Sequence, residues 1–135
     1  MTHDDRSSQP QRFAFSHYEE RDFKPGLRSY ARYRDLGFED ASGGVAVAQV
    51  VRMLGPCTEA VREWHTHGVQ FQMIYVLKGW IEPQMEGNDP IRMVAGSSWM
   101  QPPRIRHRVM NYSEDCELLE IVLPANFPTD TCDAP

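Results

Sequence analysis

From Val45 onward the chain is a succession of short runs rich in β-branched, aromatic and aliphatic residues. They read VAVAQVVRML, AVREWHTH, FQMIYVLKGWIEPQM, IRMVAG, SSWMQPP, RHRVMNY and ELLEIVLP, with Gly, Pro, Asn and Asp between them. None sustains an apolar 3.6-residue period over the roughly 10–12 residues that mark a helix. Short strands at close spacing build a sandwich or a closed barrel rather than an open parallel sheet. The expected class is therefore all-β. A chain of 135 residues, 41% of them hydrophobic, has material for one core and no room for a second domain.

The two ends differ from this middle. Residues 1–26 are polar and charged without a sustained period and read as a loose arm. The stretch SYARYRDLGFEDASGG mixes aromatic and aliphatic residues with charges, and its Gly43-Gly44 pair divides a first edge strand from the next. Gly87-Asn88-Asp89-Pro90 separates two strand-like runs and predicts a hairpin-type turn. Residues 125–135, ANFPTDTCDAP, are Pro-rich and short of aliphatics, which predicts a surface tail.

Charge and composition exclude several function classes. A net charge of -5 and a sequence pI near 5.5 offer no basic footprint for a nucleic-acid backbone, and Lys and Arg are scattered. No apolar run approaches the ~20 residues of a membrane helix, and MTHDDRSSQPQR lacks the apolar stretch of a signal peptide, so a cytoplasmic protein is expected. Cys57, Cys116 and Cys132 are odd in number, widely spaced and without a CxxC pair, which predicts reduced thiols.

The chemistry concentrates in WHTH, in Gln72 and in PPRIRHRVMN. His65 and His67 stand two apart, and residues i and i+2 of a strand share a face, so both imidazoles can meet one ion. Gln72 opens the next β-like run, and a hairpin would return it alongside the histidines. His107 completes a neutral, nitrogen-rich set suited to a divalent transition metal such as iron, manganese, nickel, zinc or copper.

The same region resembles the two motifs of the cupin superfamily, an HxH…E…G segment followed by a G…P.G..H…N segment. His65, His67, Gln72 and Gly79 fall on the first motif, and Gly96, Pro102, His107 and Asn111 on the second. The resemblance implies a cupin barrel over residues 27–124, a jelly roll or double-stranded β-helix, with one metal ion on His65, His67, His107 and Gln72. It departs at Glu59 and Arg104, where the family usually has glycine, and at Gln72, where it has an acidic ligand. A neutral amide still offers its carbonyl but leaves the ion its full charge, so an anionic guest is expected and Lewis-acid chemistry gains over electron transfer. Alternatively Gln72 orients a water or substrate without touching the metal.

Strand parity then supplies neighbours. Glu63, two before His65, would send a carboxylate into the barrel as partner of an imidazole or as general base, with a barrel-end salt bridge as the alternative. Ile74, Val76 and Val109 would make an apolar wall, and Phe71, Met73, Met100 and Ile105 a rim. Arg106 and Arg108 would face solvent, opposite His107. Trp64, Trp80 and Trp99, if outward, would form an aromatic surface that a homodimer covers, as cupins commonly pair. The functional expectation is a metalloenzyme acting on a small oxygenated molecule, dioxygenase-like or a lyase or isomerase. The alternative is a non-catalytic binding or sensor module.

Overall fold

The computed structural model describes residues 10–135. Among the described residues, eleven strands form two antiparallel sheets that face each other. They are β1 (Lys24–Pro25), β2 (Ala31–Asp35), β3 (Val47–Met53), β4 (His65–His67), β5 (Phe71–Lys78), β6 (Trp80–Met85), β7 (Met93–Val94), β8 (Ser98–Met100), β9 (His107–Tyr112), β10 (Glu117–Leu123) and β11 (Thr129–Thr131). One sheet has the order β1-β2-β3-β10-β5-β8, the other β11-β4-β9-β6-β7. The all-β expectation holds; among the described residues the helical exceptions are two short 3₁₀ turns, Glu20–Asp22 and Glu59–Arg62, and one α-helical turn. Phe38–Ala41 makes a single helical turn, entered through Gly37 at φ 85 and burying only Ala41, inside the stretch read as strand and turn.

The core is the space between the sheets. Ala31, Val51, Met53, Ile74, Val76, Ile81, Tyr112 and Leu118 pack there in one buried cluster, and Val47, Val69 and Val122 form a second beside Ala125 and Phe127. Alternation selects them: in β5 Gln72, Ile74 and Val76 are buried, while Phe71, Tyr75 and Leu77 point outward. Gly79 has φ 70, and a Cβ there would lie 2.1 Å from Ser113 Oγ, so the turn between β5 and β6 requires glycine. Gly87 lies in the turn between β6 and β7, where Asn88 N–H donates to the Met85 carbonyl at 3.1 Å.

Both ends are more ordered than their composition implies. Thr129–Thr131 pairs with β4 in the register Thr129↔His67 and Thr131↔His65, so the expected surface tail supplies an edge strand next to the histidines. Three polar residues suffice because an edge strand gains main-chain hydrogen bonds whatever its side chains. Residues 10–23 are likewise tied down: Arg12 N–H donates to the Ala41 carbonyl at 3.0 Å, Arg34 to the His17 carbonyl at 3.0 Å, and Arg52 pairs with Glu20 at 2.5 Å. Residues 1–9 of the expected arm lie outside the described residues.

The tryptophans do not form the expected bare surface. Arg108 lies over Trp64 at 4.5 Å and Arg92 over Trp80 at 3.8 Å, while Trp99 packs against the core. Phe71, Tyr75, Leu77 and Met100 are the exposed apolar side chains of β5 and β8.

Candidate metal centre

The site is assembled from both sheets. His65 and His107 face each other directly in the β4–β9 ladder, and His67 stands two residues along β4, so strand geometry alone brings three imidazoles together. Their ligand atoms all lie within 4.8 Å of one another. Gln72 comes from the facing sheet. The expected hairpin between His67 and Gln72 is not formed: β4 pairs with β9 and β11, β5 with β10 and β8, and Gly68–Gln70 crosses between the sheets.

Each imidazole is aimed by its outer nitrogen. His65 Nδ1 lies 3.0 Å from the Glu63 carbonyl and His107 Nδ1 2.9 Å from the Ile105 carbonyl. A carbonyl only accepts, so both Nδ1 atoms carry the proton and both Nε2 atoms are unprotonated, that of His107 accepting from Gln101 Nε2. His67 Nδ1 meets the Thr129 hydroxyl at 2.8 Å, which orients the third ring; a hydroxyl both donates and accepts, so this contact does not itself place the proton. Burial lowers the proton affinity of all three: His67 is brought down to about 3, with His107 and His65 contributing repulsion, and His107 to about 4. His65 moves in the same direction for the same leading reason. Neutral imidazoles with converging Nε2 lone pairs are the protonation state that a metal ion needs. The residues fit a divalent transition metal.

A chain of amides orders the facing wall. Trp99 Nε1 donates to Gln101 Oε1 at 2.8 Å, Gln101 Nε2 to Gln72 Oε1 at 3.2 Å, and Gln72 Nε2 to Glu120 Oε2 at 2.9 Å. Indole only donates and the carboxylate only accepts, so the two ends fix the orientation of both amides between them. Gln101 Nε2 also lies 3.2 Å from His107 Nε2, between that imidazole and the Gln72 carbonyl. Gln49 Nε2 donates to the other Glu120 oxygen at 2.8 Å. An amide at position 72 is thus what Glu120 calls for, because a carboxylate there would face a second carboxylate.

The histidines and these amides line a cavity of about 310 Å³. Ile74 and Val109 are on its wall as expected, with Val51, Ile81 and Leu118. Phe71, Met73, Met100 and Ile105 do not line it: Phe71 and Met100 are exposed on the outer face of the sheet, and Ile105 contributes its carbonyl to His107. Glu63 requires a correction too. It precedes β4 and ends a short 3₁₀ turn, so strand parity does not extend to it; its side chain is exposed, and only its carbonyl reaches His65. The carboxylate that does line the cavity is Glu120, on β10 between inward-facing Leu118 and Val122. The period-two pattern of ELLEIVL, with Glu at an inward position, was the available signal.

Arg104 has φ 62, the left-handed conformation that a glycine at this motif position would adopt, and its N–H donates to the His67 carbonyl at 3.0 Å. Arg106 pairs with Glu86 at 3.1 Å, and Arg108 bonds Gln84 at 2.9 Å, both away from the cavity.

Comparison with known families and structures agrees with this geometry. The family model described as the cupin domain matches residues 56–122, which hold all three histidines and Gln72. The chain is a member of the cupin superfamily. Among solved structures, KdgF from Halomonas sp. superposes on this cupin with a TM-score of 0.64 at 18% identity, covering 82% of this chain and 96% of the other. An RmlC-like cupin from Shewanella frigidimarina gives 0.61 at 19% identity, covering 87% and 96%. A salicylate 1,2-dioxygenase from Pseudaminobacter salicylatoxidans gives 0.61 at 9% identity over 78% of this chain and 31% of its own. At these identities the likeness is one of fold. No curated protein matches the sequence. No helix among the described residues is long and apolar enough to cross a membrane.

Proposed function

We propose that this cupin is a mononuclear metalloenzyme that acts on a small oxygenated organic molecule by proton-transfer chemistry of the lyase or isomerase type. The observation that carries the reading is the joint presence in one cavity of three outward-anchored imidazoles and an inward carboxylate, Glu120. His65, His67 and His107 would hold the ion, with the Gln72 carbonyl as a fourth donor. A divalent ion there supplies Lewis acidity, polarising an oxygen of the guest and stabilising the negative charge that develops on it.

The protein's own groups account for the rest. Glu120 can hold or accept a proton at a carboxylate oxygen, and the Gln49 and Gln72 amides fix where those oxygens point. Val51, Ile74, Ile81, Val109 and Leu118 add an apolar stretch of wall for the carbon skeleton of the guest. The donor set of three imidazoles and an amide is neutral and favours a divalent over a trivalent state. Dioxygenase chemistry is the second reading, favoured by the same open triad. The superfamily barrel hosts both.

The deciding experiment is elemental analysis of protein prepared without chelator, followed by turnover assays of the loaded protein. The expected result is one divalent ion per chain, lost in His65→Ala and His107→Ala. Glu120→Gln should retain the metal and lose at least about 100-fold in turnover, the scale of a positioned acid–base group. Oxygen uptake with an iron-loaded protein would replace the lyase or isomerase reading by the dioxygenase one. A wild type that takes up no metal would sink both and leave a binding module.

A further inference from the structure

The metal-facing cavity contains one more charged group, on a segment that lies outside both motifs. β1 and β2 form a hairpin in the register Lys24↔Tyr33 and Pro25↔Arg32, and the connection between them folds over the cavity. Gly26, Leu27, Arg28 and Tyr30 all line it. The connection is held closely. The Tyr33 ring lies so near Gly26 that a Cβ there would be 2.3 Å from it, and Ala31 N–H donates to the Arg28 carbonyl at 3.3 Å.

Arg28 Nη2 is buried, and among the described residues nothing accepts a hydrogen bond from it. It is the one buried side-chain nitrogen or oxygen among the described residues in that position. Glu120, the carboxylate lining the same cavity, is already engaged by Gln49 and Gln72. An uncompensated guanidinium N–H costs free energy in such a place, and an anionic acceptor removes that cost.

We infer that Arg28 is a specificity-determining residue that recognises a carboxylate of the substrate, so the substrate class is small organic acids. The inference rests on the metal-site reading above. Arg28 takes one carboxylate oxygen while the remainder of the acid lies toward the histidines and the apolar wall. Arginine suits the task because it stays charged at any physiological pH and offers directional donors. A cavity of about 310 Å³ holds a compact acid and excludes a large polyanion. The apolar lining favours a carboxylate attached to carbon over a fully hydrated inorganic anion.

The test compares acids with their neutral amides on the metal-loaded protein. Pyruvate, lactate and benzoate are titrated calorimetrically against pyruvamide, lactamide and benzamide, into wild type, Arg28→Gln and Arg28→Lys, with metal content measured for each preparation. At least one acid should bind wild type tenfold or more tightly than its amide. Arg28→Gln should erase that preference while keeping one metal per chain and its amide affinity, and Arg28→Lys should restore part of it. Equal binding of acid and amide, failure of all three acids to bind, or a preference that survives Arg28→Gln overturns the inference. So does inorganic phosphate binding more tightly than every acid. If wild type takes up no metal, the metal reading falls by that measurement alone, and Arg28-dependent acid binding still decides this one.

Discussion

Replacing Gln72 by the acidic residue usual in the superfamily should destabilise this cupin, and Glu120 is the reason. Gln72 is 2% exposed, and its amide donates to Glu120 Oε2 at 2.9 Å. Gln72→Glu turns that donor into an oxygen facing a second carboxylate, with almost no water to screen them. Two like charges about 4 Å apart at an effective dielectric near 20 repel by ~4 kcal/mol. The pair can escape by sharing a proton, and keeping an ordinary glutamic acid protonated at pH 7 costs roughly 3.7 kcal/mol. The two limits agree, so the expected loss at pH 7 is about 2–4 kcal/mol. The sign follows from linkage: the folded protein then holds a carboxyl whose proton affinity is raised. The penalty is absent below about pH 4, where the unfolded carboxyl is protonated too, and it grows as pH rises toward 7.

Urea denaturation of chelator-treated wild type, Gln72→Glu, Glu120→Gln and the double variant at pH 5 and pH 7 measures this. The double variant should recover most of the loss, because the introduced amide at 120 donates to the introduced carboxylate at 72. That carboxylate still accepts from Gln101. A Gln72→Glu protein as stable as wild type at pH 7, or a double variant whose losses simply add, refutes the reasoning.

Three further outcomes follow from the geometry. Thr129→Val removes the oxygen that aims His67 and should weaken metal binding about tenfold, the low end for such a partner because the position is half-buried and water can substitute; competition with a chromogenic chelator measures it, and an unchanged affinity would detach β11 from the site. Gly79→Ala should cost at least about 1–3 kcal/mol from its positive φ alone, before the clash with Ser113 and Asp115, read as a lowered thermal midpoint. The three histidines bind protons more weakly folded than unfolded, so the stability of metal-free protein should be fully present above pH 6.5. It should fall steadily toward pH 4 as the unfolded chain takes up protons that the folded one refuses; a flat urea midpoint between pH 6.5 and pH 5 would contradict that.

Much of this was legible before any fold was known, for reasons that lie in short-range geometry. Period-two spacing puts His65 and His67 on one face of any strand, Gly43-Gly44 and Gly87-Asn88-Asp89-Pro90 mark turns, and strand parity assigns Ile74 and Val109 to the interior. These depend on residues within a few positions of each other, and the backbone enforces them locally. The motif resemblance added His107 and Gln72 across gaps that periodicity cannot bridge.

The partners were different. Glu63 was expected inside by extending strand parity one residue pair too far, past the point where the chain leaves the 3₁₀ turn. Glu120, Gln101, Thr129 and Arg28 reach the site from β10, from just past β8, from the C-terminal strand and from the β1–β2 connection, and they stand 13, 6, 22 and 37 residues from the nearest of the three histidines. The sequence by itself determined the strand class and the identity of the imidazoles, because side-chain alternation is a property of the backbone. Only the tertiary structure decided which carboxylate faces the cavity, which oxygen aims each ring and where an uncompensated arginine points, because those follow from how two sheets close on each other.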